Sequence, residues 1–151
     1  ECVTDTRGTG VMNVRCHEYG PYRGPVGGRR NGVLISNGEG TAVTYALWYL
    51  EERGKLFVTT GTKVYSGMII GEHSRDNDLD VNPLKEKQLT NIRTTMKDEA
   101  IRLTTVQAMT LEQAIAYIEA DELVEITPQS IRLRKKELVP HLRKRAKEAV
   151  E

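Results

Sequence analysis

At 151 residues the chain has room for one domain with its own core and a fragment of a second. Its formal charge of +1 excludes binding by bulk charge alone, so the distribution of charge matters more than the sum. Aromatic residues are scarce, with one Phe and one Trp, and Ile, Val and Leu must fill most of the core.

No apolar run approaches the ~20 residues of a membrane span, and no charged-then-apolar leader pattern is read at the first residues. Cys2 and Cys16 have no Cys or His partner at metal-ligand spacing, so they are read as reduced thiols rather than as a disulfide scaffold. The chain opens on Glu1 without a methionine, which points to a piece of a longer protein. The cytosol is the expected compartment.

Residues 10–19 alternate as a strand, with Val11, Asn13 and Arg15 set against Met12, Val14 and Cys16. The Pro- and Gly-rich stretch 20–28 breaks any regular element and marks a boundary before the main domain. Residues 32–36 predict a short apolar strand, 37–40 a turn and 41–45 a returning strand. Residues 46–53 predict a short helix closed by Gly54. Residues 56–58 and 64–70 predict strands, with turns at Gly61 and Gly67.

Residues 74–82 are polar and dense in Asp and Asn, and Pro83 closes them. Residues 85–99 have no usable hydrophobic period, since Leu89, Ile92 and Met96 are isolated. A loop of that length inside a domain is functional or disordered. Residues 100–103 resume a strand pattern. The clearest helix is 111–120, where Thr110 as N-cap and Gln113 form a capping box. Leu111, Ala114, Ile115 and Ile118 give it one apolar face. Residues 123–126 and 130–134 flank Thr127-Pro128-Gln129 as a hairpin, and a basic helix starts near Pro140.

Glycine-bearing stretches around Gly8-Thr9-Gly10 and Gly27-Gly28-Arg29-Arg30 do not complete a GxxxxGK[ST] phosphate loop or open a helix after a strand. They are read as turns, and no nucleotide binding is expected. Asp76, Asp78 and Asp80 alternate as in a calcium loop. However, Val81 stands where the glycine is required and Lys87 where the final glutamate is required. The simpler reading is a turn whose Asp and Asn side chains take backbone N–H groups, with Arg75 paired to a carboxylate. Ser74 lies in no nucleophile elbow, and His17, His73 and His141 are scattered, so catalysis is not expected.

Basic residues carry the remaining signal. Arg132, Arg134, Lys135 and Lys136 are followed by Arg143, Lys144, Arg145 and Lys147, and an acidic patch of Glu119, Asp121, Glu122 and Glu125 lies just upstream. On a strand Arg132 and Arg134 share one face, with Ile131 and Leu133 on the core face. Two guanidiniums side by side suit phosphates; an ordinary solvated surface is the plain alternative. The 85–99 loop adds Lys85, Lys87, Arg93 and Lys97 among Thr90, Asn91, Thr94 and Thr95, a composition suited to looped RNA.

Several long strings, in collinear order over nearly the whole chain, resemble the TypA/BipA family. They are residues 4–13 (TDTRGTGVMN), 28–36 (GRRNGVLIS), 73–84 (HSRDNDLDVNPL), 87–93 (KQLTNIR), 109–114 (MTLEQA) and 121–128 (DELVEITP). The resemblance implies a ribosome-associated translational GTPase with a G domain, a β-barrel, two ferredoxin-like domains and a family-specific carboxyl-terminal domain. Residues 1–22 would then be the end of the second ferredoxin-like domain and 24–151 the carboxyl-terminal domain. GTP and Mg would belong only to the absent G domain, with no cofactor in this chain. The implied partners are the ribosome, large-subunit rRNA and the tRNA acceptor end, with no membrane, in large-subunit assembly and in stress and cold adaptation. The loop that would approach RNA corresponds to residues 85–99, where this chain has Thr94-Thr95-Met96-Lys97 in place of a glycine-bearing tip.

The expected fold is therefore α+β: a mainly antiparallel, barrel-like sheet with two or three short helices. The candidate RNA contacts are Lys85, Lys87, Asn91, Arg93 and Lys97 in the loop and Arg132, Arg134, Lys135 and Lys136 near the hairpin, with Arg29, Arg30 and Arg75 elsewhere. A protein-interaction or architectural module docking the parent's other domains is the alternative. An enzyme using Ser74 or His73 is a distant third. Residues 10–19, cut from their sheet partners, are expected to dock on the main domain or to pair with a second copy, as a dimer of the fragment and not of the parent.

Overall fold

A computed structural model describes residues 6–22, 29, 31–85, 106 and 108–148. In chain order its elements are β1 (Val33–Ser36), β2 (Gly40–Thr41), α1 (Thr44–Glu51), β3 (Gly54–Leu56), β4 (Lys63–Val64), β5 (Met68–His73) and β6 (Leu79–Val81). They are followed by α2 (Leu111–Tyr117), β7 (Glu122–Ile126), β8 (Ile131–Lys135) and α3 (Pro140–Glu148). The mixed α+β class, the mostly antiparallel sheet and the short helices agree with the sequence.

β5 is the hub of the main sheet, whose path runs β6-β1-β5-β8-β7. One edge of β5 pairs antiparallel with β1, matching Val33 with Glu72 and Ile35 with Ile69. Its other edge is shared. β8 takes Met68 and Ile69, while β3 takes the stretch from Gly71 to His73. The β1–β6 pair is parallel, and β2 and β4 form a small separate pair. β6 and β7 end the path, so among the described residues the sheet is open and the expected barrel closure is not seen.

β1 is an unbroken apolar run because both of its faces are covered. Leu34 points into a cluster with Leu47 and Leu50 of α1 and Met68 and Ile70 of β5. Val33 and Ile35 point the other way, onto Ile69, Leu133 and Ala114 of α2. The sheet is thus packed between α1 on one side and α2 on the other.

The capping box at α2 forms as expected: Thr110 Oγ1 accepts from Gln113 N, and Thr110 N donates to Gln113 Oε1. The helix is shorter than predicted, because Ile118 is already extended. Ala114 is its buried contact and Tyr117 and Ile118 pack at the margin, while Leu111 and Ile115 face outward. α1 starts at Thr44, earlier than predicted, which limits the returning strand to Gly40–Thr41.

Gly54 proves not to be a helix stop. It opens β3, and a Cβ there would lie 1.8 Å from the Glu72 carbonyl oxygen, so only glycine lets the two backbones approach. Gly67 turns as expected, with φ +89.

Residues 10–19 form no strand and do not dock: Val11 is 84% exposed, and Met12 and Val14 are exposed beside it. Without a partner strand the alternation has nothing to pair with. Residues 86–105 lie outside the described residues, and with them most of the predicted loop and the strand at 100–103.

Candidate nucleic-acid interface

The β7–β8 hairpin sets the candidate cations on two opposite faces. Its register places Glu122 across from Lys135, Leu123 from Arg134, Val124 from Leu133 and Glu125 from Arg132. Side chains alternate along each strand, so Arg132 and Arg134 share a face with Leu123 and Glu125. Both arginines are half-buried there. Tyr65 donates its hydroxyl to Glu125 Oε2 at 2.5 Å. Burial, then the hydrogen bond and charge of Glu125, push the Tyr65 phenol up to about 12. Tyr65, Leu123, Glu125, Arg134 and Leu138 line an open cleft of about 470 Å³. The two arginines are side by side as expected, but they share their face with a carboxylate.

Lys135 belongs to the opposite face, in step with Leu133, and is 1% exposed. Its Nζ sits 2.7 Å from Glu122 Oε1 and 2.9 Å from both Asp121 Oδ2 and Asp78 Oδ2. Burial alone would lower its pKa, but hydrogen bonds to Glu122, Asp121 and Asp78 raise it above the usual lysine value. The expectation that Lys135 meets RNA is therefore corrected: it is an internal cation.

Arg29 needs the same correction. Its Nη1 and Nη2 both donate to the Glu122 carboxylate at 2.5 Å, and its Nε donates to the Asn31 carbonyl at 2.8 Å. The guanidinium lies 4.8 Å over the Tyr117 ring, which meets Phe57 edge-on. Burial works against its charge, and the Glu122 hydrogen bonds overcome that and hold its pKa above the usual range. For Glu122 burial again favours the neutral form, but hydrogen bonds from Arg29 and Lys135 hold its carboxyl below the ordinary value.

These pairs change the meaning of the acidic patch. Carboxylate oxygens of Glu119, Asp121 and Glu122 all lie within 4.8 Å of one another. Arg29 and Lys135 already sit on them, which balances charge that would otherwise repel phosphate.

In the Asp-rich turn Asp78 and Asn82 take backbone N–H groups as expected, whereas the expected pairing of Arg75 with a carboxylate is not seen among the described residues. Asp78 Oδ1 accepts from Val33 N at 3.1 Å and Asn82 Oδ1 from Leu84 N at 2.9 Å, while His73 Nδ1 lies 2.6 Å from the Asn77 carbonyl. Asp78 and Asp80 turn to different cations, Lys135 and Arg143. Arg75 is exposed and takes part in none of the described ion pairs.

α3 begins with Pro140 at its first position, where a missing N–H costs nothing. Arg143 anchors it, donating to the carbonyls of Glu137 and Leu138 and pairing with Asp80. Lys136, Lys144 and Arg145 remain exposed, as does Lys85 at the start of the long loop. Lys87, Asn91, Arg93, Lys97 and Arg30 lie outside the described residues. Sequence reasoning missed the pairing of Arg29 with Glu122, whose separation of 93 residues left no local signal. It also missed the burial of Lys135, which the parity with Leu133 could have revealed.

The model of the TypA/BipA C-terminal domain matches residues 31–140. The chain belongs to the TypA/BipA C-terminal domain family. Among similar proteins, the large ribosomal subunit assembly factor BipA of Escherichia coli (strain K12) is 53% identical over 150 residues, covering 99% of this chain and 25% of that protein. The protein of the same name from Buchnera aphidicola subsp. Schizaphis graminum (strain Sg) is 54% identical over 147 residues, with coverage of 97% and 24%. That of Haemophilus influenzae (strain ATCC 51907 / DSM 11121 / KW20 / Rd) is 54% identical over 145 residues, with coverage of 95% and 24%. The chain thus spans about a quarter of the length of these TypA/BipA relatives. No described helix is long and apolar enough to cross a membrane.

Proposed function

We propose that this chain is the RNA-contacting carboxyl-terminal part of a ribosome-binding translational GTPase that acts in assembly of the large ribosomal subunit. Hydrolysis of GTP, with its Mg, would belong to a G domain elsewhere in the parent. Growth under stress and cold would depend on the chain through that assembly role, in the cytoplasm.

One observation supports the reading above the others. The acidic cluster beside the hairpin, Glu119, Asp121 and Glu122, is paired with Arg29 and Lys135, and Asp80 with Arg143, while Lys136, Lys144 and Arg145 stay exposed. Exposed cations with neutralised neighbours attract a polyanion whatever the net charge of the chain. The loop 85–99, with its lysines, amides and hydroxyls, is the segment we assign to looped rRNA or the tRNA acceptor end.

The test is the salt dependence of binding to ribosomal RNA fragments. Neutralising about five phosphates gives a slope of about −3.5 to −4.5 in log affinity against log salt. A flat response in fluorescence anisotropy would remove the electrostatic basis of the proposal.

A further inference from the structure

α1 carries an aromatic face that the core does not use. Ala46, Leu47 and Leu50 turn toward the sheet. Tyr45, Trp48 and Tyr49, spaced three and four positions apart, therefore gather on the outer side. Trp48, the only tryptophan of the chain, is 43% exposed and Tyr49 is 52% exposed. The Tyr45 and Trp48 ring centroids are 6.4 Å apart, with planes tilted by 37°.

Beside this face lies a cavity of about 290 Å³, lined by Tyr45, Ala46, Tyr49, Leu50, Asn82 and Lys85. The helix side chains make it apolar and aromatic, while the rim has one amide and one ammonium. Asn82 already accepts from Leu84 N through Oδ1, so its NH2 end is the one turned to other acceptors. No carboxylate stands among the described lining residues.

We infer that this cavity binds an unpaired nucleotide of RNA, with the base against Tyr45 and Tyr49, Asn82 at the base edge and Lys85 on a phosphate. The inference rests on the RNA-binding reading above and deepens it, by adding a site for bases to a surface otherwise made of cations. Exposed aromatic faces beside a cation are the parts that hold unstacked bases in loops and strand ends. Every base has a π-face, so such a shelf tolerates many sequences. An apolar peptide segment would fit the rings but would leave Lys85 at the rim without an anion, and a protein partner is thus the competing occupant.

Two probes separate the possibilities: a short oligoadenylate, and an abasic ribose-phosphate oligomer of the same length. Trp48 fluorescence and anisotropy are read together on the whole chain. The expected result is that oligoadenylate binds more tightly than the abasic oligomer and alone quenches Trp48. Tyr49→Ala should weaken oligoadenylate binding about tenfold, the scale of one lost base–aromatic stack, and leave the abasic oligomer unaffected. Tyr49→Phe should retain the binding. Tyr49 is half exposed, so these variants leave the core intact, and an unchanged melting transition verifies it. If both oligomers bind equally and Trp48 does not respond, the cavity does not serve bases, although the cationic surface still serves RNA. If neither binds, the RNA-binding reading fails together with this one. Wild-type affinity of Tyr49→Ala for oligoadenylate would also overturn the inference.

Discussion

The carboxylate of Glu122 receives both arms of the Arg29 guanidinium at 2.5 Å, and its Oε1 lies 2.7 Å from Lys135 Nζ. One buried anion therefore joins the segment before β1 to both strands of the β7–β8 hairpin. Removing a single partner leaves an uncompensated buried charge. Arg29→Ala or Glu122→Ala should each cost about 3–5 kcal/mol in urea unfolding. Replacing Arg29 and Glu122 together by apolar residues of similar size should cost less than either single change, since Lys135 keeps Asp78 and Asp121 as partners and the half-exposed Glu119 stays in contact with water.

The same cluster sets the response to pH. The Glu122 carboxyl is held low by its two cations, so its stabilising effect is complete above the ordinary carboxylate range and is lost as pH falls through its lowered value. Lys135 and Tyr65 act at the other end. Both are raised, Tyr65 from 10.0 to about 12, so their contribution is complete below the ordinary values and disappears as pH rises through the raised ones. Thermal melting should give a broad neutral plateau with acid and alkaline losses, and Tyr65→Phe should soften only the alkaline one.

Gly54 and Gly61 offer a paired comparison. A Cβ at Gly54 would lie 1.8 Å from the Glu72 carbonyl oxygen, whereas at Gly61, with φ +84, nothing lies within 4 Å. Gly61→Ala should cost about 1–2 kcal/mol from the left-handed backbone alone. Gly54→Ala must push β3 off β5 and should cost more, with its amide protection at Lys55 and Glu72 lost first. Equal losses in urea unfolding would mean that the close approach is not maintained in solution.

Exposed and buried lysines should separate cleanly in RNA titrations. Lys136→Ala and Lys144→Ala should each lower affinity and reduce the salt slope by about 1 while leaving stability unchanged. Lys135→Ala should do the reverse, lowering stability sharply. A slope change on mutating Lys135, in a protein that remains folded, would place that ammonium at the surface after all.

The exposed residues 10–19 lead to a prediction about association. Docking on the main domain is not seen, so pairing with the same segment of a second copy remains our proposal for this apolar stretch. Sedimentation should show a concentration-dependent dimer that disappears when residues 1–22 are removed. The shortened chain should melt at the same temperature and keep its RNA affinity.

Much of the fold was legible because its signals are local. The capping box at Thr110, the hairpin around Thr127-Pro128-Gln129 and the turns at Gly61 and Gly67 each depend on residues within a few positions. What was not legible depends on distant partners. Gly54 looks like a helix stop until Glu72 is laid beside it, and Arg29 looks like a surface cation until Glu122 arrives. Leu111 and Ile115 fit a helical period, yet α2 meets the sheet through Ala114. The candidate site was legible as composition and only partly as geometry: strand parity set Arg132 and Arg134 on one face, but it was not carried on to Lys135, which the same parity buries beside Leu133.

The shared edge of β5 bears on the order in which a growing chain can complete its sheet. β1, β3 and β5 are all made before β8, whose Leu133 and Arg134 must fill the remaining part of that edge beside Ile69 and Met68. Synthesis adds about 5–20 residues per second, so β8 emerges several seconds after β5. During that interval the nascent chain presents a half-paired apolar edge, with Arg29 and Asp78 awaiting the carboxylate and ammonium they will join. Arrival of the hairpin closes the edge and supplies Glu122 and Lys135 in one step, so sealing the sheet and neutralising the cluster are a single late event of biosynthesis.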